Sequence, residues 1–215
     1  MTGQPAGVND ATISRLEIVL GVLLAGTSGA AIIAHVFGPV PMSFTVPFVV
    51  LPATAILVSA VLLRRRLYPR FHAFTRVIMV GAKWGFLATL AYDVIRPVLK
   101  MILRFSFNPY RAIPIFGQLM TGLPATDPTA IVAGWIYHFW NGISFGVMFA
   151  FVRPQGGMAA GVVWAMVLQA LMMWVYPQFL QVRLADPGFL MSGLIGHSVW
   201  GVVLGAGLRR EARHD

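Results

Sequence analysis

Two histidines in this sequence occupy the same place in the same short pattern. Asp127-Pro128, Gly134, His138, Gly142 and Gly146 match Asp186-Pro187, Gly193, His197, Gly201 and Gly205 at a constant offset of 59. Both stretches read D-P-x5-G-x3-H-x3-G-x3-G. Paired neutral imidazoles could ligate haem iron or copper, with glycines letting a macrocycle approach. The same imidazoles could instead line a polar site. They could also do no more than bond a neighbouring carbonyl while the glycines pack helices.

A second cluster stands in A-Y-D-V-I-R-P-V-L-K, where Asp93 and Arg96 are one helical turn apart. Arg96, Lys100 and Arg104 follow at intervals of four and share one stripe if the helix continues. The net positive charge suits a carboxylate, a phosphate or a lipid head group. The competing reading is that these cations snorkel and fix helix depth, with Asp93 as a local counter-ion. Asn141 lies one turn from His138, and His35 and Gln169 are further lone polar groups of the kind that bridge helices. The candidate ligand-binding set is therefore Asp93, Arg96, Lys100, His138, Asn141 and His197, with His138 and His197 as metal ligands in the alternative reading.

The elements that must carry these residues are apolar helices. Hydrophobic residues make up 58% of the 215-residue chain and charged residues 11%, against about 45–50% and about 25% in soluble domains. A water-soluble fold cannot hide that much apolar surface. Counted in spans of roughly 20 residues, the chain is expected to be all-α and polytopic, with six transmembrane helices over 18–37, 44–63, 77–97, 129–152, 157–176 and 189–208. The charges beyond the third span keep helical spacing, as expected if that helix continues to residue 105. In the first span the apolar run persists through Ile32, Ile33 and Val36, which favours a span over a cleaved leader. Pro47 and Pro52 should kink the second.

Each Asp-Pro pair should start a helix, because Asp is a good N-cap and proline is tolerated at the first helical position. The preceding spans match more weakly at an offset of 80, with Gly81, Trp84 and Pro97 answering to Gly161, Trp164 and Pro177. The expected organisation is one transmembrane domain. Residues 1–76 hold two leading helices and a basic loop, 77–152 a first hairpin with an outer-loop insert at 103–123, and 157–208 a duplicate hairpin running in the same sense. That repeat puts His138 and His197 at equal depth, roughly 15 Å from their helix starts. The apolar run 112–123 within the insert is too short to span. It suits an interfacial or re-entrant lid, or a loop resting on lipid.

Threading the spans puts Arg15, Arg64, Arg65, Arg66, Arg70, Arg76, Arg153, Arg209, Arg210 and Arg213 on one side and Arg96, Lys100, Arg104, Arg111 and Arg183 on the other. The richer side is the cytoplasm by the positive-inside bias, so both termini are expected there, in a bacterial-type inner (plasma) membrane. Lys83, inside the third span, should snorkel toward that side. The formal charge of +9 then belongs to membrane orientation and anionic lipid, and no nucleic-acid partner is expected. With no cysteine, disulfides, Cys-ligated metals and thiol catalysis are excluded.

Paired carboxylates, an H-E-x-x-H helix, a G-x-S-x-G elbow and a phosphate-cradling glycine loop are all missing, so enzyme status has no motif behind it. Three readings follow. The first is a permease or ligand-binding membrane protein with an outward-facing polar site for an anionic or amphiphilic small molecule or lipid. The second is a haem- or metal-binding redox subunit. The third is a structural subunit of a membrane complex, with itself or another chain as partner, or a lipid-directed enzyme.

Overall fold

A computed structural model describes residues 13–63, 72–180 and 183–214. Arg64, Arg65, Arg66 and Arg70 of the expected basic loop lie outside the described residues. Every regular element among the described residues is helical: α1 (Arg15–Phe37), α2 (Met42–Thr45), a π turn (Val46–Val50), α3 (Leu51–Leu62), α4 (His72–Leu103), α5 (Ala112–Thr121), α6 (Pro128–Val152), α7 (Met158–Leu180) and α8 (Pro187–Glu211).

Local chemistry explains most of the boundaries. Ser14 accepts from the Glu17 amide while the Glu17 carboxylate accepts from the Ser14 amide, a reciprocal capping box that starts α1. Asp127 and Asp186 cap α6 and α8 through the amides of Thr129 and Phe189, with proline at the first helical position of each. Pro47 has no N–H to donate, and the chain continues past it by widening into the π turn, where the Leu51 amide reaches the Val46 carbonyl. α4 runs straight through Pro97 and ends before Arg104, whose φ of 52° takes the backbone into the left-handed region.

Four helical segments are long and apolar enough to cross a membrane: Arg15–Phe37, Met42–Leu62, Met158–Gln178 and Pro187–Glu211. Their outward faces, with Leu16, Leu23, Ile56 and Val163 exposed, need a hydrocarbon solvent. Together they give an all-helical, apolar chain with the build of a membrane-embedded protein. α4 and α6 are as long, at 32 and 25 residues, but they spend part of their surface on charged and polar groups that face other helices.

Packing arranges the helices around α4, which lies against both α6 and α8, while α7 packs on α8 and α1 and α5 pack on α6. Lys83 does not reach past the helix end for water alone. Its ammonium donates to Glu211 at 2.6 Å, and the Trp84 indole donates to the same carboxylate at 3.1 Å, tying α4 to the end of α8. Trp84 in turn lies flat on Gly207.

The apolar run of the insert is a helix pressed onto α6 rather than a loop resting on lipid, with Ile113 and Phe116 buried. A Cβ at Gly117 would overlap the Ala130 carbonyl, and one at Gly134 would overlap the Ile113 carbonyl. Backbone meets backbone there, so neither side can yield by a rotamer change. Gly117→Ala is expected to lift α5 at a cost of about 1–3 kcal/mol. Limited proteolysis should then cut the 104–111 segment faster than in the parent protein; unchanged cleavage would contradict the packing.

Candidate functional site

Pro97 sets the geometry of the site. Without an N–H it leaves the Asp93 carbonyl, four residues back, without its helical partner. The Tyr110 hydroxyl donates to that carbonyl at 2.7 Å. Arg96 returns the connection, one Nη donating to the Pro109 carbonyl. These two bonds staple the 104–111 segment, which leads into α5, to α4 beside its charge cluster.

The cluster is buried, with Arg96 6% and Asp93 8% exposed. The second Nη of Arg96 donates to Asp93 Oδ1 at 2.5 Å, and the guanidinium carbon stands 4.0 Å from the Tyr92 ring and 5.0 Å from the Tyr110 ring. Tyr92 and Arg96 are one turn apart on α4, so the stacking follows from helix geometry. From α6, His138 Nε2 lies 3.0 and 2.9 Å from the two Asp93 oxygens. A carboxylate accepts, so the ring proton is assigned to Nε2. Asp93 thus bridges the Arg96 guanidinium and the His138 imidazole, with carboxylate and ring within proton-transfer distance.

His197 faces the same space from α8, its Nδ1 donating to the Gly193 carbonyl at 2.9 Å. The Tyr92 ring packs near both imidazoles, with centroids 6.2 Å from His138 and 4.9 Å from His197. α4, which carries it, lies against both α6 and α8. Among the described residues no group of three or more His, Cys, Asp or Glu converges on a point.

Asn141 has a double position. Its Oδ1 accepts from Ser28 at 2.9 Å, while Tyr137 donates to the Ser28 carbonyl at 2.5 Å, so it ties α6 to α1 as well as facing the site. Lys100 does not join the others: it is half-buried and away from the cavity, and Arg104 is exposed beyond the helix end. The stripe suggested by 96, 100 and 104 divides because only Arg96 points into the bundle.

One cavity of about 90 Å³ is lined together by Tyr92, Arg96, His138, Asn141, Ser192 and His197. Phe116, Phe145, Leu168, Met172 and Trp200 supply its apolar lining. That volume holds several waters or a head group and not a macrocycle. Two buried polar atoms at the cavity, Arg96 Nε and Ser192 Oγ, have no partner among the described residues. Buried donors are normally satisfied, and an occupant rich in acceptors would satisfy both; Trp164 Nε1 and the Gln169 amide, on residues that do not line the cavity, are likewise without a partner among the described residues. Tyr92, Tyr110 and Ser192 lie outside the residues that spacing alone singles out. Tyr92 is signalled only by its place one turn before Arg96, and Ser192 only by adjacency to Gly193.

Nearer the chain's loops, a groove framed by Arg111, Arg183 and Asp186 shares Phe107 with the cavity. Comparison of the chain with protein-family models, with curated proteins and with solved structures finds no match in any of the three.

Proposed function

We propose that this chain is a small inner-membrane permease or ligand-binding membrane protein, with an outward-facing intramembrane site for an anionic or amphiphilic small molecule or lipid. The observation that carries the reading is Arg96, buried among apolar helices with one donor unused, on the wall of a cavity it shares with His138 and His197. An intramembrane arginine is costly and marks a ligand or ion path more often than a packing role. Its free donor, together with the Ser192 hydroxyl, calls for an occupant rich in acceptors, such as a carboxylate or phosphate. The groove beside Arg111 and Arg183 offers such a group a route in from the outer side.

In this reading six helices span: α1, the rod Met42–Leu62, α4, α6, α7 and α8, with both termini cytoplasmic. The hairpins α4–α6 and α7–α8 are duplicates. Supporting this, a Cβ at Gly81 would meet the Gly146 carbonyl at 3.0 Å, and one at Gly161 would meet Gly205 Cα at 3.0 Å, pairs made equivalent by the two sequence offsets. The charge cluster belongs to α4 alone, so the scaffold repeats and the site does not.

A second reading rests on the Asp93–His138 contact, which could supply acid–base chemistry to a lipid-directed enzyme acting on the same occupant. A haem or copper subunit using the histidine pair is less well supported, because His138 Nε2 is engaged by Asp93 and the Tyr92 ring packs near both imidazoles. A purely structural subunit leaves the unpartnered donors without a purpose.

The chain has no cysteine, so one introduced thiol reports without background. In sealed vesicles, Ser192→Cys should react with a membrane-impermeant sulfonate thiol reagent added from the outer side. Reaction only from the cytoplasmic side, or from neither, would contradict an outward-facing site.

A further inference from the structure

We infer that the ligand is a single-chain amphiphile, whose anionic head sits against Arg96 and Ser192 and whose hydrocarbon chain leaves the protein sideways between α1 and α7. This rests on the reading of the cavity as a binding site and names what fills it. Room for little more than a head group, at about 90 Å³, means that anything larger must extend elsewhere. Phe145, Leu168 and Met172 give the cavity an apolar flank, and the exit lies there.

A second chamber of about 50 Å³ adjoins that side, and Asn141, Phe145, Leu168, Met172 and Tyr176 line both spaces. The rest of its wall is hydrocarbon, from Ile32 and Ile33 of α1 and Leu171 and Val175 of α7. Two features make it an exit rather than a packing flaw. α1 and α7 touch each other sparsely, each packing mainly on another helix. Ile33 and Leu171 are only half-buried, so the crevice reaches the lipid-facing surface. Phe37 stacks on Trp174 at 4.2 Å, and that pair bounds the crevice toward the end of α1.

A chain passing from lipid into this crevice changes one hydrocarbon environment for another and gains little. Affinity is therefore set by the head, while the crevice decides which molecules have somewhere to put the tail. One chain fits; a molecule whose bulk lies next to the head does not.

The full chain in lipid nanodiscs should be photolabelled with hexadecanoate carrying a mid-chain diazirine. Adducts are expected at Ile32, Ile33, Leu171 and Val175. Unlabelled hexadecanoate or hexadecyl phosphate should compete, the stronger of the two identifying the head, whereas methyl hexadecanoate should not. Ile33→Trp, which plugs the crevice at a residue that lines only the second chamber, should lower adduct yield about tenfold, a loss of about 1.4 kcal/mol, while the sulfonate reagent still modifies Ser192→Cys. Adducts spread evenly over outward residues such as Val94 and Ile136 would overturn the lateral exit and leave the head site standing. Failure of both the charged competitors and the thiol modification would overturn the head site as well.

Discussion

Arg96→Leu is expected to abolish binding at the cavity and to cost the fold about 3–5 kcal/mol, the usual penalty for removing one partner of a buried ion pair. The loss is large because the carboxyl of Asp93, 8% exposed, would be left with only His138 as its partner. The Pro109 carbonyl would lose its donor too, loosening the staple that holds the 104–111 segment. Thermal unfolding in mild detergent checks the stability, and photolabelling checks the binding. Replacing Asp93 and Arg96 together with leucine should recover much of the stability and none of the binding, because two apolar groups leave no orphaned charge. Arg96→Lys should fold but bind poorly: a compact ammonium cannot bridge Asp93 and Pro109 and still offer a third donor inward.

The second large effect concerns the helix crossings. At Gly161 a Cβ would overlap the Gly201 carbonyl, and the neighbouring Gly205 Cα leaves no room to slide. Gly161→Ala is expected to destabilise by about 1–3 kcal/mol and to broaden the gel-filtration profile in detergent. Gly81→Ala, placed 2.7 Å from Val147 Cα, should do the same at the α4–α6 crossing if the hairpins are equivalent. Gly26→Ala is the internal comparison. Its nearest neighbour is the Met148 terminal methyl at 3.4 Å, a flexible end that can move, so the change should stay within about 0.5 kcal/mol. Equal losses at all three positions would mean that the crossings are not set by backbone approach.

Local rules make much of this readable from the chain. Ser14 with Glu17, Asp127-Pro128 and Asp186-Pro187 each start a helix because the cap and the first turn are written within four residues. The glycines at intervals of four also lead to close approach, since that spacing puts them on one face: Gly142 and Gly146 meet α4, and Gly201 and Gly205 meet α7. Asp93 and Arg96 stand out because charge in an apolar helix is costly wherever it points.

The unreadable part is non-local. Nothing near Tyr110 in sequence says that its hydroxyl will answer the carbonyl freed by Pro97, thirteen residues away. The meeting of His138 with Asp93 across two helices depends on the rotation of α6 about its axis, which the crossing with α4 decides. Lys100 shares the spacing of Arg96 yet lines no part of the cavity, one turn beyond the residue that the Pro109 carbonyl holds. Spacing identifies a stripe; tertiary contact decides which members of it are used.

The most direct test compares how fast sulfonate and uncharged thiol reagents of similar size modify Ser192→Cys, with Arg96 present and with Arg96→Gln. If the cavity is an anion site, the sulfonate should react faster when Arg96 is present and lose about tenfold in rate with Arg96→Gln, about 1.4 kcal/mol of preference. The uncharged reagent should be nearly indifferent. Equal rates for the two reagents in both proteins would contradict an anionic ligand at this site.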